Sequence, residues 1–430
     1  MKNLYKHYLN SIGVSTDTRT IPEGSFFVAL KGENFDANEM VDLALEKGAE
    51  HVVTSNKKYV GNPKVTVVDD TLKTLQQLAA YHREQLEIPI VGITGTNGKT
   101  TTKELVTAVL SKKYKVAATK GNLNNHIGVP LTLLSISSEH DIAVVEMGAS
   151  HPGEIKELAA LVKPTSGLIT NVGIAHIEGF GSFDGVKATK KALYDQIAAD
   201  NGTIFINTGN ENLVGMLPES FDRLISYGTD AQNCLIDGHA VGNGEMLQLE
   251  WRYNNGIYHS ISTNLTGVYN LENVLAAATV GCFYDVDEAD ICLALSEYKP
   301  TNSRSQVVQT NKNRIIIDAY NANPSSMMAS LDNFQHLQHE HKVLILGAMR
   351  ELGVAQDSEH LSLLKKISAV DYDEVYLVGN EFAKFAEQFP RYHYAEMAID
   401  IKDEICKLSG KYILLKGSNS NKLSSLVEYL

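Results

Sequence analysis

The stretch Ile93-Thr94-Gly95-Thr96-Asn97-Gly98-Lys99-Thr100-Thr101-Thr102 decides how this chain is read. It follows the apolar run Ile88–Ile93 and precedes the helical pattern Glu104–Leu110, which predicts a strand, a glycine-rich turn and a helix N-terminus in succession. Such a junction cradles phosphate. Backbone N–H groups of the turn point at phosphate oxygens, and the helix dipole favours negative charge there. Lys99 is expected to reach the terminal phosphates and the Thr100 hydroxyl to sit on a magnesium ion, with Gly95, Thr96, Asn97, Gly98 and Thr101 completing the nucleotide loop. The match to G-x-x-x-x-G-K-[ST] is imperfect, because Ile93 stands in the first glycine slot and the nearest glycines are Gly92 and Gly95. A glycine-rich turn alone is more often a plain loop; Gly-Lys-Thr at a strand-to-helix junction points to a nucleoside triphosphate.

Before this loop, strands are expected at 26–30, 51–54 and 65–68, helical spacing at 38–47, and a helix over 71–86 with Leu72, Leu75, Leu78 and Ala79 on one face. After it, apolar strands at 142–145, 167–170, 203–206 and 224–227 alternate with helical patterns, which predicts a mostly parallel sheet covered on both faces. Residues 233–264 alternate around Gly242-Asn243-Gly244 and Asn254-Asn255-Gly256, as an antiparallel patch at a sheet edge would. An alanine-rich helix is expected over 271–280, and a boundary at Lys299-Pro300-Thr301-Asn302-Ser303. Beyond it, strands at 314–317, 343–346, 375–378 and 412–415 predict a Rossmann-like α/β unit without G-x-G-x-x-G. The expected division is an N-terminal α/β unit over 1–84, a central ATP-binding unit over 85–299 and a C-terminal unit over 300–430. With 430 residues and roughly 150 per domain, three α/β domains fit the length.

A net charge of −13 argues against a nucleic-acid surface while leaving room for a local cationic pocket. Cys234, Cys282, Cys292 and Cys406 lack C-x-x-C spacing and read as small buried residues in a reducing compartment. The segment 1–10 has no apolar signal-peptide core, and no run reaches the roughly 18 apolar residues of a membrane span. A cytoplasmic protein with neither nucleic acid nor membrane as partner is expected.

In an open α/β sheet, ligands sit at the carboxyl ends of the strands, so polar residues after apolar runs are the candidates. Glu146 ends one run, and a carboxylate there can hold the magnesium that bridges ATP phosphates. His176 follows the next strand, in Thr170-Asn171-Val172-Gly173-Ile174-Ala175-His176; it is a candidate for a second metal or a phosphate, against the ordinary structural histidine. Lys187, Lys190 and Lys191 lie on an expected helix, where a solvated basic face is the default. Asn122, Asn124 and Asn125 form a polar loop that binds substrate or caps turns. Asp318, Tyr320, Asn321 and Asn323 crowd a strand-to-helix turn, whereas His336, His339 and His341 read as a solvated helix end.

Taken in order, these motifs resemble the Mur ligase family, the ATP-dependent amide-bond-forming enzymes of peptidoglycan precursor synthesis. The resemblance runs through Thr94–Thr100, Glu146-Met147-Gly148, Asn171 to His176, the lysine helix, Tyr269-Asn270-Leu271-Glu272-Asn273 and Lys416-Gly417-Ser418, essentially the whole chain. Four stretches favour the branch that adds D-alanyl-D-alanine to UDP-N-acetylmuramoyl-tripeptide: Asp17-Thr18-Arg19 with 24–32, Gly121–Pro130, His176–Gly181 and Asp318–Pro324. The resemblance implies ATP and two Mg²⁺ as cofactors, a monomer, and an acyl-phosphate intermediate. It makes Lys99, Lys190 and His176 catalytic, and Thr100, Glu146, His176 and a carbamoylated Lys190 the metal set. It adds Asn270, Asn273, Arg304, Asp318 and Asn321 to the nucleotide site. Asp17, Arg19, Ser25 and Lys31 are then expected at the UDP-sugar end, with Asn122, Asn124, Asn125, Tyr320 and Asn323 as further substrate contacts.

The chain departs from the family pattern at Ala192, where a glutamate is usual, at Ala348 in place of an aspartate, and at Asn419 in place of an arginine. These departures keep a non-ligating ATPase as a competitor. Another amide ligase is the nearer alternative. The third-residue ligase is disfavoured by the lack of Asp-Asn-Pro-Arg, and a folylpolyglutamate synthase by the roughly 90 residues before the loop.

Overall fold

Short runs of consecutive apolar residues, buried on both sides, build parallel sheets here. The computed structural model describes residues 1–229, 234–301 and 303–430; Asn302 of the expected boundary and Asn233 of the expected antiparallel patch lie outside the described residues. Among the described residues, three sheets carry the fold. The first is parallel throughout and runs β1 (Val14–Ser15), β2 (Phe26–Val28), β3 (His51–Thr54), β4 (Val65–Val67) in that order. Phe27 and Val52 pack with Ala37, Val41 and Ala44 on one face. Phe26, Val28 and Val53 meet Leu4, Tyr8, Leu75 and Leu78 on the other.

The helix Thr71–Arg83, capped by the Asp70 carboxylate at the Lys73 N–H (2.9 Å), also packs on the helices Gly128–Leu134 and Glu154–Val162 of the middle unit. Its last residue, Arg83, is buried and donates to the carbonyls of Val162 (2.8 Å) and Lys163 (3.0 Å), so its guanidinium caps the C-terminus of the neighbouring helix. The first sheet and the middle unit therefore share one hydrophobic core.

The middle sheet holds β5 (Ile90–Thr94), β6 (Val116–Ala118), β7 (Ile142–Glu146), β8 (Ser166–Ile169), β9 (Thr203–Asn207), β10 (Leu224–Thr229), β11 (Ile236–Ala240), β12 (Met246–Tyr253) and β13 (His259–Thr266). Their order is β13-β12-β11-β10-β9-β8-β5-β7-β6. Strand β5 lies between β7 and β8, so the chain leaves it toward one edge and later returns to its other side. That reversal opens a crevice at the carboxyl ends. The expected antiparallel patch forms at the edge, where β12 pairs with β11 and β13. The alanine-rich helix Leu271–Phe283 crosses the helix Lys99–Leu110, and a Cβ on Gly281 would lie 2.5 Å from Val109 Cγ1, so glycine is what permits that approach.

The third sheet runs β14 (Gln306–Gln309), β15 (Arg314–Asp318), β19 (Tyr412–Lys416), β16 (Lys342–Gly347), β17 (Glu374–Val378), β18 (His393–Ala395), and only β14 pairs antiparallel. Each face has a core of its own, separate from the middle unit. A polar seam joins the two: Glu245, in the turn between β11 and β12, accepts from Arg314 Nε (2.7 Å) and the Tyr412 hydroxyl (2.5 Å). Among the described residues no helix is long and apolar enough to cross a membrane. Cys234 is buried as expected, while Cys282, Cys292 and Cys406 are only half-buried.

Separate cores predict separate unfolding. Leu414, buried in the third sheet, should cost about 2–5 kcal/mol when truncated to alanine. The expected result is a lower midpoint for hydrogen exchange in the third sheet and an unchanged denaturant transition of Trp251, the sole tryptophan, which is buried in the middle unit. A parallel fall in both would contradict two independent units.

Candidate active site

The loop between β5 and the helix Lys99–Leu110 is shaped by two glycines. Gly95 (φ 150°) runs so close to the Thr170 hydroxyl that no Cβ fits, and Gly98 (φ 77°) would place a Cβ 2.5 Å from Asn273 Oδ1. Ile93 explains the imperfect motif. It is fully buried within β5, in register with Glu146 and Leu168, so the strand continues through Thr94 and the turn begins only at Gly95. The loop is then tied to the segment after β8. Asn97 N–H donates to Asn171 Oδ1 (2.9 Å), and its carbonyl accepts from Thr170 Oγ1 (2.6 Å) and Asn171 Nδ2 (3.1 Å).

Lys99 folds back over the loop, its ammonium donating to the carbonyls of Gly95 (2.8 Å) and Thr96 (2.9 Å). Burial lowers its pKa to about 8, with Glu146 opposing and Arg304 reinforcing the shift. Thr100 Oγ1 donates to Glu146 Oε1 (3.2 Å), which also receives Asn124 Nδ2 (2.7 Å). Glu146 is buried, and its other oxygen, Oε2, has no hydrogen-bond partner among the described residues. A carboxylate oxygen in that state calls for a cation.

The lysine helix, Phe183–Ala199, corrects the solvated-face expectation at one position. Lys187 pairs with Asp184 (2.8 Å) and Lys191 with Asp195, but Lys190 is buried at 2% exposure and makes no side-chain hydrogen bond or ion pair among the described residues, its ammonium 5.8 Å from the Phe180 ring centre. Burial pushes its pKa well below the ordinary lysine value, and the Lys99 charge adds to the effect. Helical spacing alone turns Lys190 inward and its neighbour Lys191 outward. His176, in a left-handed conformation (φ 51°), lines one cleft with Lys99 and Glu146 and meets Glu351 of the third unit through Nδ1.

The third unit closes over the loop. Asn323 caps the helix Pro324–His336 and donates to Asn97 Oδ1 (2.8 Å), while Asn97 Nδ2 donates to Ser325 Oγ (3.0 Å). Arg304 stacks on Tyr320, 3.8 Å from its ring centre, and leaves its Nε buried and unpartnered at the cleft. Asp318 pairs with the buried Lys416 (2.9 Å), whose ammonium also donates to Asn321 O (2.7 Å). On the base side, Asn270 Oδ1 accepts from Asn273 Nδ2 (2.9 Å), and Thr102 Oγ1 donates to Asn273 Oδ1 (3.0 Å). Lys99, Thr100, Glu146, Asn124, His176, Asn270, Asn273, Arg304, Asp318 and Lys416 line a cleft of about 1170 Å³ reached by all three units, whereas Lys190 and Asn323 are not among its lining residues.

Other sequence candidates fall outside it. Asp17 and Arg19 pair with each other on the surface (2.7 Å), Lys31 pairs with Asp36 (3.3 Å), and Ser25 is buried in the first unit. Asn125 lines the cleft and caps the Gly128 N–H (2.9 Å), whereas Asn122 does not line it. The three histidines disperse: His336 contacts Asp332 O (2.6 Å), His339 stacks on Tyr412, and His341 pairs with Asp373 (3.1 Å). Of the departures, Ala348 is buried against Gly379, and Asn419 donates its N–H to Tyr320 O (2.9 Å). Asn171, Glu351 and Lys416 take structural parts here that spacing did not single out, although Asn171 and Lys416 stand at strand ends, where polar residues are informative.

Two family models match the chain: the Mur ligase middle domain over residues 93–281 and the Mur ligase, glutamate ligase domain, over 303–419. The UDP-N-acetylmuramoyl-tripeptide–D-alanyl-D-alanine ligase of Bacillus subtilis (strain 168) is 35% identical across 97% of this chain and 93% of its own length. The chain belongs to the MurF branch of the Mur ligase family. Solved MurF structures agree: that of Acinetobacter baumannii superposes with a TM-score of 0.88 at 26% identity, covering 99% of this chain and 97% of its own. The Thermotoga maritima MurF ligase in complex with ADP gives 0.85 at 25%, covering 100% and 98%.

The loop of this Mur ligase has no room at Gly98. Gly98→Ala should cost more than the roughly 1–2 kcal/mol of a left-handed alanine, because the Asn273 amide must also move. Gly61→Ala, with φ 90° and open space around it, pays the conformational cost alone. Thermal unfolding of the two variants should rank them in that order; equal losses would contradict the loop packing.

Proposed function

We propose that the cleft carries out ATP-dependent addition of D-alanyl-D-alanine to UDP-N-acetylmuramoyl-tripeptide in peptidoglycan synthesis, with Lys99, Lys190 and His176 as its catalytic groups. The observation that carries this assignment is the meeting of Lys99 and the orphaned Glu146 carboxylate in one cleft, with Lys190 buried on the lysine helix close enough for the Lys99 charge to act on it, in a chain 35% identical to a ligase of that name.

A carboxylic acid and an amine at neutral pH form a salt, so the carboxylate must be activated. In the proposed sequence, an oxygen of the tripeptide carboxylate attacks the γ-phosphorus of ATP, and the bond to ADP breaks. The D-alanyl-D-alanine nitrogen then attacks the acyl carbon, phosphate leaves with the bridging oxygen, and the amine gives up a proton. Lys99, released from the Gly95 and Thr96 carbonyls, offsets charge on the transferring phosphoryl group. Asn270 and Asn273 flank the nucleotide, with Arg304, Asp318 and Asn321 on the facing wall. Docking of Asn323 and Ser325 onto Asn97 supports closure that keeps water from the acyl phosphate.

The donors present fit Mg²⁺, which takes hard oxygen ligands: the orphaned Glu146 Oε2 and the Thr100 hydroxyl would hold one ion. His176 and Lys190, converted to a carbamate, would hold a second. A neutral amine is the form that adds carbon dioxide, and burial favours that form at Lys190. Such ions neutralise phosphate charge when bound. The same reading takes the units as 1–84, 85–299 and 300–430, with Asp17, Arg19, Ser25 and Lys31 at the UDP-sugar end, in a cytoplasmic monomer that binds no nucleic acid.

Phosphate release should require ATP, the UDP-muramoyl-tripeptide and the dipeptide together; release with ATP alone, or with a single amino acid replacing the dipeptide, would refute the assignment. Removing one preorganised charge typically costs about 10²–10³ in rate, so Lys99→Ala should nearly abolish turnover. Lys190→Ala should also lose turnover and recover part of it with added acetate. Recovery with methylamine instead would mean that a cation, not a carbamate, works there.

A further inference from the structure

Two of the non-glycine residues with left-handed backbone meet across the boundary between the middle and third units. His176 (φ 51°) opens the short helix Ile177–Phe180 of the middle unit, and Glu351 (φ 61°) lies in the loop that follows β16. The Glu351 carboxylate meets His176 Nδ1, and the Glu351 carbonyl accepts from the Glu178 N–H (3.3 Å). Left-handed backbone sets Cβ against the following carbonyl oxygen, so a residue other than glycine stays there only where its surroundings hold it. Both of these residues are held.

On the third unit, the loop is pinned on either side of Glu351. The Ala348 N–H donates to Val378 O (2.8 Å), the Met349 N–H donates to the buried His360 Nε2 (3.1 Å), and Arg350 pairs with Glu381 (3.1 Å). Leu352 is fully buried in that unit's core. Glu351 projects from this anchored loop toward the middle unit. There, Ala175 and Phe180 are buried on either side of His176, and Gly179 passes so close to Ser150 O that no Cβ fits. The His176 backbone is therefore fixed by its own unit. Its ring has one hydrogen-bond partner among the described residues, the Glu351 carboxylate.

A carboxylate at Nδ1 keeps the ring proton on that nitrogen, leaves the Nε2 lone pair for a cation and fixes the rotation of the ring. We infer that Glu351 is a positioning residue: carried by the third unit, it orients His176 so that Nε2 can take the second Mg²⁺ of the proposed reaction. The inference rests on that reading of His176, which lines the cleft. It makes the two ion sites unequal. Glu146 and Thr100 both belong to the middle unit and hold the first ion without help. The second site is complete only while the third unit is docked, so neutralisation of phosphate charge and exclusion of water arrive together.

The test counts Mn²⁺ on the full chain by electron paramagnetic resonance, with a non-hydrolysable ATP analogue, the UDP-muramoyl-tripeptide and bicarbonate present. The unaltered chain should bind two ions. Removing the carboxylate behind a metal-binding histidine typically costs about 10- to 100-fold in affinity, so Glu351→Ala should weaken one site by that factor and spare the other. Glu351→Gln keeps an acceptor for the Nδ1 proton and should lose less. Both variants should fold, because the Glu351 side chain is 56% exposed. In phosphate release, Glu351→Ala should need more Mg²⁺ for half-maximal rate and regain kcat as Mg²⁺ is raised, which loss of a merely structural contact would not produce. Two equally tight sites in Glu351→Ala overturn the positioning role alone. Glu351→Gln as damaging as Glu351→Ala would make the carboxylate a ligand of the ion itself and overturn that role as well. A single ion on the unaltered chain overturns the second-ion reading of His176 and Lys190 with it.

Discussion

Asn97 is held from two directions at once. Its backbone is fixed by Thr170 and Asn171 at the end of β8, while its side chain is fixed by Asn323 and Ser325 at the start of a helix in the third unit. One residue of the phosphate loop thus couples the middle sheet to the closing domain. The coupling is possible only because Gly95 and Gly98 let the loop pass against Thr170 and Asn273. Loop shape and domain position are a single constraint, and the cleft exists where both are satisfied.

Burial then sets the electrostatics. Lys99, Lys190, Lys416 and Glu146 are brought into or beside a low-dielectric cleft, yet they are treated differently. Lys416 is neutralised by Asp318 and the Asn321 carbonyl, which makes it part of the scaffold. Lys99 is held by hydrogen bonds to two carbonyls, with the Glu146 charge partly offsetting its burial. Among the described residues Lys190 makes no side-chain hydrogen bond or ion pair, and Glu146 keeps one oxygen unsatisfied. Uncompensated buried groups of opposite sign are costly to maintain. The proposed binding of a polyanion and its counter-ions would offset that cost.

Legibility from sequence varied with how local the cause was. The long apolar strands, such as those at 142–145 and 343–346, were visible because parallel strands buried on both faces read as continuous runs. The edge strands β1, β6, β14 and β18 were not, since two to four residues carry too little periodicity to distinguish them from loops. The lysine helix was legible as a helix, but its three lysines were read as one solvated face, although Lys190 falls at helical spacing on the buried face with Val186, Leu193 and Ile197. Ile93 looked like a defect against the general phosphate-loop pattern and is an ordinary buried strand residue.

The sequence by itself determined the phosphate loop, the alternation of strands and helices, and the carboxylate at the end of β7, because each depends on residues close together in the chain. Tertiary structure decided which charges lose their solvent and which find partners. Lys190 became a buried amine, and Asp17 and Arg19 became a surface pair. Those outcomes depend on how helices and sheets from distant segments pack. Desolvation and pairing are properties of that packing, not of neighbours in the chain.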